Sequence, residues 1–81
     1  MRLSELPNIG PKLESLLREH GIATPEDLQS LGAEEACRRM HLRGEKCLNK
    51  LYALEGAIRG IRWHDITQEE RDDLKRRFLG R

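Results

Sequence analysis

Leu6-Pro7-Asn8-Ile9-Gly10-Pro11-Lys12-Leu13 is the sharpest local signal in the chain. Pro7 ends a single turn begun at Leu3, and Pro11 fits the first position of a new helix, where its missing N–H costs nothing. A tight connection between the two needs residues that tolerate positive φ, which predicts that role for Asn8 and Gly10. Ile9 between them is expected to point back into the core and pin the loop. The turn opens onto a helix N-terminus, whose free N–H groups and dipole favour an anion, and Lys12 stands in that first turn.

Outward from this hairpin the chain reads as short helices with clear stops. Leu13, Leu16, Leu17 and His20 recur at helical spacing, Lys12, Glu14, Arg18 and Glu19 take the other side, and Gly21 is the stop. Thr24-Pro25-Glu26-Asp27 starts the next helix, with Thr24 as N-cap and Leu28 and Leu31 facing inward before Gly32. Ala33, Ala36, Cys37 and Met40 mark the inner stripe of a helix expected to run out near Gly44. The most apolar stretch, about residues 46–59, is predicted as the central helix, packed on two sides and closed by Gly60. Thr67-Gln68-Glu69-Glu70 has the form of a capping box for a last helix over 68–79, with Leu74 and Phe78 inward. Valine is absent and no segment alternates in the manner of a strand. The predicted fold is all-α: a compact bundle of about five short helices filling one domain, residues 1–81.

Composition narrows the function. Eighty-one residues leave a thin core. No apolar run approaches the ~20 residues of a membrane span, and no signal-peptide core precedes Pro7. Fifteen basic against fourteen acidic side chains give a net charge of +1, far from the strong excess that advertises nucleic-acid binding. With two cysteines and no export signal, a reducing cytoplasm with free thiols is the expectation. A zinc site from Cys37, His41 and Cys47 with His20 or His64 lacks paired ligands at short spacing, so no metal and no cofactor is expected. Asp72 and Asp73 are adjacent and diverge on a helix, no nucleophile constellation is legible, and a pocket of a few hundred Å³ is not expected in so small a chain. The reading is a non-enzyme.

The hairpin has the arrangement of a helix-hairpin-helix motif, which grips a nucleic-acid phosphate through backbone amides and a nearby lysine. Glycine is usual in that motif where Asn8 stands. Across residues 3–79 the chain resembles the C-terminal domain of the TfoX/Sxy family of bacterial competence regulators. The resemblance is carried by Leu3 to Lys12, by Gly21-Ile22-x-Thr24-x-Glu26-Asp27-Leu28 and by Leu31-Gly32-Ala33. It continues through Leu48-Asn49-x-Leu51-Tyr52-Ala53-Leu54-Glu55-Gly56-Ala57 to Gly60, Trp63 and Asp65. Asn8 in place of glycine looks normal for that family. The resemblance implies a two-domain regulator acting with the cyclic-AMP receptor protein at competence promoters, whose α/β domain would precede this one; with the match beginning two residues after Met1, the expectation is a chain without it.

Two functions follow as expectations. In one, the domain is an accessory binding unit that contacts DNA phosphates without sequence preference, through the amides around Asn8 and Gly10 with Lys12, Lys46 and Lys50 on the phosphates. In the other it is a protein–protein interaction module, with a partner such as a transcription regulator, and the hairpin serves structure alone. Flanking Glu5, Glu14 and Glu19 weigh against an anion at the hairpin. Trp63 beside Arg62 and His64 suits either a base-stacking role or, more simply, a plug locking the last two helices together.

Overall fold

The computed structural model describes residues 1–80. A 3-10 turn at Leu3–Glu5 is followed by α1 (Pro11–Glu19), α2 (Pro25–Leu31) and α3 (Ala33–Arg39). A second 3-10 turn, Glu45–Cys47, leads into α4 (Leu48–Arg59), and a third, Trp63–Asp65, precedes α5 (Gln68–Leu79). The fold is all-α, as the punctuation of the sequence predicts.

The helices begin where side chains satisfy their orphan N–H groups. Thr24 accepts from the Asp27 N–H and Asp27 returns the bond to the Thr24 N–H; Thr67 and Glu70 repeat the exchange at α5. Three helices end alike. Ile22 donates to the Leu17 carbonyl (2.9 Å) and Gly21 to Arg18 (3.1 Å), and the same pair of bonds closes α4 through Ile61 and Gly60. At α3 the pair runs from Leu42 to Cys37 and from His41 to Arg38. This six-to-one, five-to-two pattern places one residue in the left-handed region and an apolar residue just after it. After α3 that left-handed residue is His41, at φ 61°. The helix therefore stops at Arg39, short of Gly44, and Gly44 instead leads into the second 3-10 turn.

One cluster of buried side chains forms the core. Leu3, Leu17, Ile22, Leu28, Ala36, Cys37, Leu51 and Leu54 are fully buried, with Ile9, Met40 and Leu74 nearly so. α4 is the axis: α3 packs along it, and α2, α5 and both neighbouring 3-10 turns contact it too. Its side chains are accordingly apolar on more than one face. Burying a Leu-sized side chain contributes ~1.5–3 kcal/mol, so these few residues supply most of the drive to fold.

Glu14 departs from the helical-face reading. It is 5% exposed rather than solvent-facing. One carboxylate oxygen accepts from the Ser4 N–H at 3.1 Å and the other from Arg2 at 3.0 Å, tying α1 to the first turn. The Ser4 bond, ahead of the Arg2 guanidinium, holds its carboxyl below the ordinary value despite desolvation.

Candidate functional site

The hairpin is built around one side chain turned inward. Asn8 takes φ 70°, as expected of it. Its amide nitrogen donates to the carbonyls of Ile61 (3.0 Å) and Ala53 (3.3 Å), and its oxygen accepts from the Trp63 N–H at 3.2 Å. Those partners lie on α4 and on the connection that follows it. The approach is close because Gly56 is buried in α4 beneath it. A Cβ there would come within 2.5 Å of the Asn8 amide nitrogen and 2.8 Å of the Ile61 carbonyl. The asparagine thus joins residues more than forty apart in sequence, and Ile9 beside it is buried in the core.

Gly10 corrects one expectation. Its φ is −96° with ψ −178°, extended backbone that any residue adopts, and a Cβ would meet nothing within 4 Å. Asn8 alone supplies the positive φ of this turn. Gly10 is the N-cap of α1, and Glu14 returns its N–H to the Gly10 carbonyl.

Lys12, Lys46 and Lys50 are exposed, and none has an ion-pair partner among the described residues. Lys46 and Lys50 sit at the N-terminal end of α4, whereas the hairpin docks on its C-terminal half. Glu14 does not screen Lys12, since its carboxylate is spent on Ser4 and Arg2. The cations toward the end of α4 are different. Arg59 is clamped between Glu55 and Glu70, which leaves it neutralised and holds the Glu70 carboxyl below its ordinary value.

Trp63 is half-buried in the third 3-10 turn. Its ring stacks on His64 with centroids 4.0 Å apart, and the Arg71 guanidinium lies 5.9 Å from its centroid. Its backbone, held by Asn8, does the fastening, and its ring lies against these two side chains at the surface. The thiols and imidazoles do not gather: His20 faces His41 edge-on at 6.0 Å, and His64 is committed to Trp63. Among the described residues no three His, Cys, Asp or Glu side chains come together as metal ligands would. Cys37 is fully buried, and desolvation pushes its thiol up to about 12, which makes it inert as a nucleophile.

Clefts of the size judged out of reach for this chain do occur. One, of about 410 Å³, lies between the end of α3 and the end of α5, with Leu42, Phe78 and Leu79 on its floor and Arg38 and Arg43 at its edge. A more polar one of about 630 Å³ runs from the α2–α3 junction past Glu55 to Arg77. Sequence periodicity gave no sign of either, because each is formed where segments distant in sequence fail to meet fully.

These features define a small all-α domain whose hairpin is fastened to its central helix. The chain belongs to the TfoX C-terminal domain family, which matches residues 1–78. It is 36% identical to Protein Sxy of Escherichia coli (strain K12) over 74 residues, covering 90% of this chain and 35% of that protein. The chain thus spans about a third of that relative's length. Two solved structures share the fold closely. A crystal structure of an uncharacterized protein from Listeria monocytogenes, in a triclinic form, gives a TM-score of 0.87 at 44% identity, covering 96% of this chain and 90% of that one. A tetragonal-form structure of a protein of unknown function from Listeria monocytogenes gives 0.84 at 45% identity, covering 94% of each. The domain is therefore related to competence regulators. Among the described residues no helix is long and apolar enough to cross a membrane.

Proposed function

We propose that this domain is a non-catalytic binding unit of a competence-type transcription regulator, working in the cytoplasm through contacts with another protein. The observation that supports this reading is the inward turn of Asn8. A hairpin whose polar loop side chain is turned inward has a structural task of its own, as the protein-contact reading requires. Here the Asn8 carboxamide is consumed by three backbone partners of the same domain. The net charge of +1 supports the same reading, since phosphate binding without sequence preference draws on an excess of cations.

The DNA reading keeps one observation of its own: Lys12, Lys46 and Lys50 are exposed without ion-pair partners among the described residues, and Gly10 leaves open space at the start of α1. The test is fluorescence anisotropy of a labelled duplex of about 20 base pairs, titrated at low and near-physiological salt. The protein-contact reading expects no binding at either salt. Binding that falls steeply with salt and is impaired by Lys12→Glu would overturn it and make the hairpin a phosphate clamp.

A further inference from the structure

We propose that the cleft between the ends of α3 and α5 is the docking site, and that its occupant is an acidic amphipathic helix of a partner protein. This deepens the protein-contact reading and rests on it. The cleft's volume of about 410 Å³ lies within the ~300–1,000 Å³ of sites that enclose a ligand. Its floor is apolar. Leu42, Phe78 and Leu79 are each left only half-buried by the rest of the domain, which suits the apolar stripe of a helix laid into a groove.

Charge selects the occupant. Between residues 38 and 50, Arg38 and Arg39 are paired with Glu35, whereas Arg43, Lys46 and Lys50 have no ion-pair partner among the described residues, and Glu45 is the one acid of that stretch. On the α5 side Arg76 and Arg77 are paired with Asp73, and neither they nor Lys75 line the cleft, to which α5 brings Phe78 and Leu79. Glu34, the carboxylate in the lining, lies 3.3 Å from the Arg77 guanidinium. Arg43 has no ion-pair partner among the described residues and stands at the cleft's edge. The helix ends meeting here do contribute partial negative charge, about half a unit each, but full cationic charges outweigh them. Arg43 beside an apolar floor, with the unpaired Lys46 following it in the chain, therefore attracts a helix with leucine-like anchors and flanking Asp or Glu. A nucleic-acid backbone would match the rim and leave the floor unfilled.

The experiment uses a short synthetic helix with Leu at i, i+3, i+4 and i+7 and Glu on its opposite face, beside the same peptide with Lys for Glu. Each is titrated into the isotope-labelled protein, and amide shifts are followed. The expected result is saturable shifts concentrated at Leu42–Gly44 and Phe78–Gly80 for the acidic peptide, with the basic peptide inert. Arg43→Glu should weaken binding about tenfold. Arg62→Glu, on the connection between α4 and the third 3-10 turn and outside the cleft lining, should not change it. Should Arg43→Glu lose its helical circular dichroism, Arg43→Ser reads the same contact. No binding of the acidic peptide, binding centred elsewhere, or equal binding of the basic peptide would overturn the cleft assignment while leaving the protein-contact reading standing. That reading falls separately, on the duplex titration.

Discussion

Replacing Asn8 by glycine, the residue usual at this place in helix-hairpin-helix motifs, tests the lock directly. The substitution removes three hydrogen bonds while keeping the left-handed backbone easy to reach. The Ala53 carbonyl also belongs to the ladder of α4, so its loss matters least. The Ile61 carbonyl and the Trp63 N–H lose the Asn8 bonds that hold them in a partly buried site. At about 0.5–1.5 kcal/mol per bond, the loss is roughly 2 kcal/mol. Easing φ at position 8 helps by several tenths of a kcal/mol, and the freer unfolded chain costs about as much. Asn8→Gly should then destabilise by about 2 kcal/mol, lowering Tm by about 8–16 °C for a domain of this size. Asn8→Ala should cost about 1–2 kcal/mol more, from the left-handed backbone. Gly56→Ala adds a cycle. Its methyl would collide with the Asn8 amide, so its cost should fall by about 1 kcal/mol when Asn8 is already glycine. Thermal melts of the four proteins decide the matter. A Tm for Asn8→Gly within about 2 °C of the parent, or strict additivity in the cycle, would refute the lock.

Two further predictions concern titratable groups. Glu14 has a depressed carboxyl in the folded state, so it contributes stability above its ordinary value of 4.5 that is lost as pH falls through its lower folded value. Glu14→Gln should melt below the parent at neutral pH and converge on it in acid; parallel Tm-against-pH curves would exclude this role for Glu14. The buried Cys37 and the half-buried Cys47 should react very differently with an aromatic disulfide reagent: Cys47 promptly in the native protein, Cys37 only on unfolding. Prompt reaction of both thiols would contradict the packing of α3.

Helix identities were legible because they rest on local chemistry. Pro11, the Thr24–Asp27 and Thr67–Glu70 boxes, and the stops at Gly21 and Gly60 each work through bonds within a few residues. What escaped depends on partners remote in sequence. Glu14 reads as one of the polar, solvent-facing residues of α1, yet it is buried because Ser4 and Arg2 come to meet its carboxylate. The end of α3 escaped because a histidine took the left-handed position usually left to glycine, with Leu42 supplying the apolar contact that follows such an end. Gly10 looked like a second positive-φ residue, but one left-handed residue suffices for the turn when its side chain is anchored. The exposed lysines could be named from sequence; the separation of Lys46 and Lys50 from the hairpin along α4 could not.

The exchange of glycine for asparagine in the hairpin has a consequence for how such a domain binds. A glycine at this left-handed position leaves the loop's geometry set by the turn alone. An asparagine whose carboxamide reaches the backbone of Ala53, Ile61 and Trp63 makes the loop a brace for the α4–α5 connection. That connection sets where α5 starts, and α5, twelve residues or about 18 Å long, carries Phe78 and Leu79 to the cleft at its other end. The hairpin can therefore serve recognition without touching the partner, by holding α5 at the angle that keeps the cleft open beside Leu42 and Arg43. Loosening Asn8 should accordingly weaken peptide binding at the cleft even under conditions where the domain remains folded, whereas substitutions on the exposed face of α1 should leave both the brace and the cleft as they are.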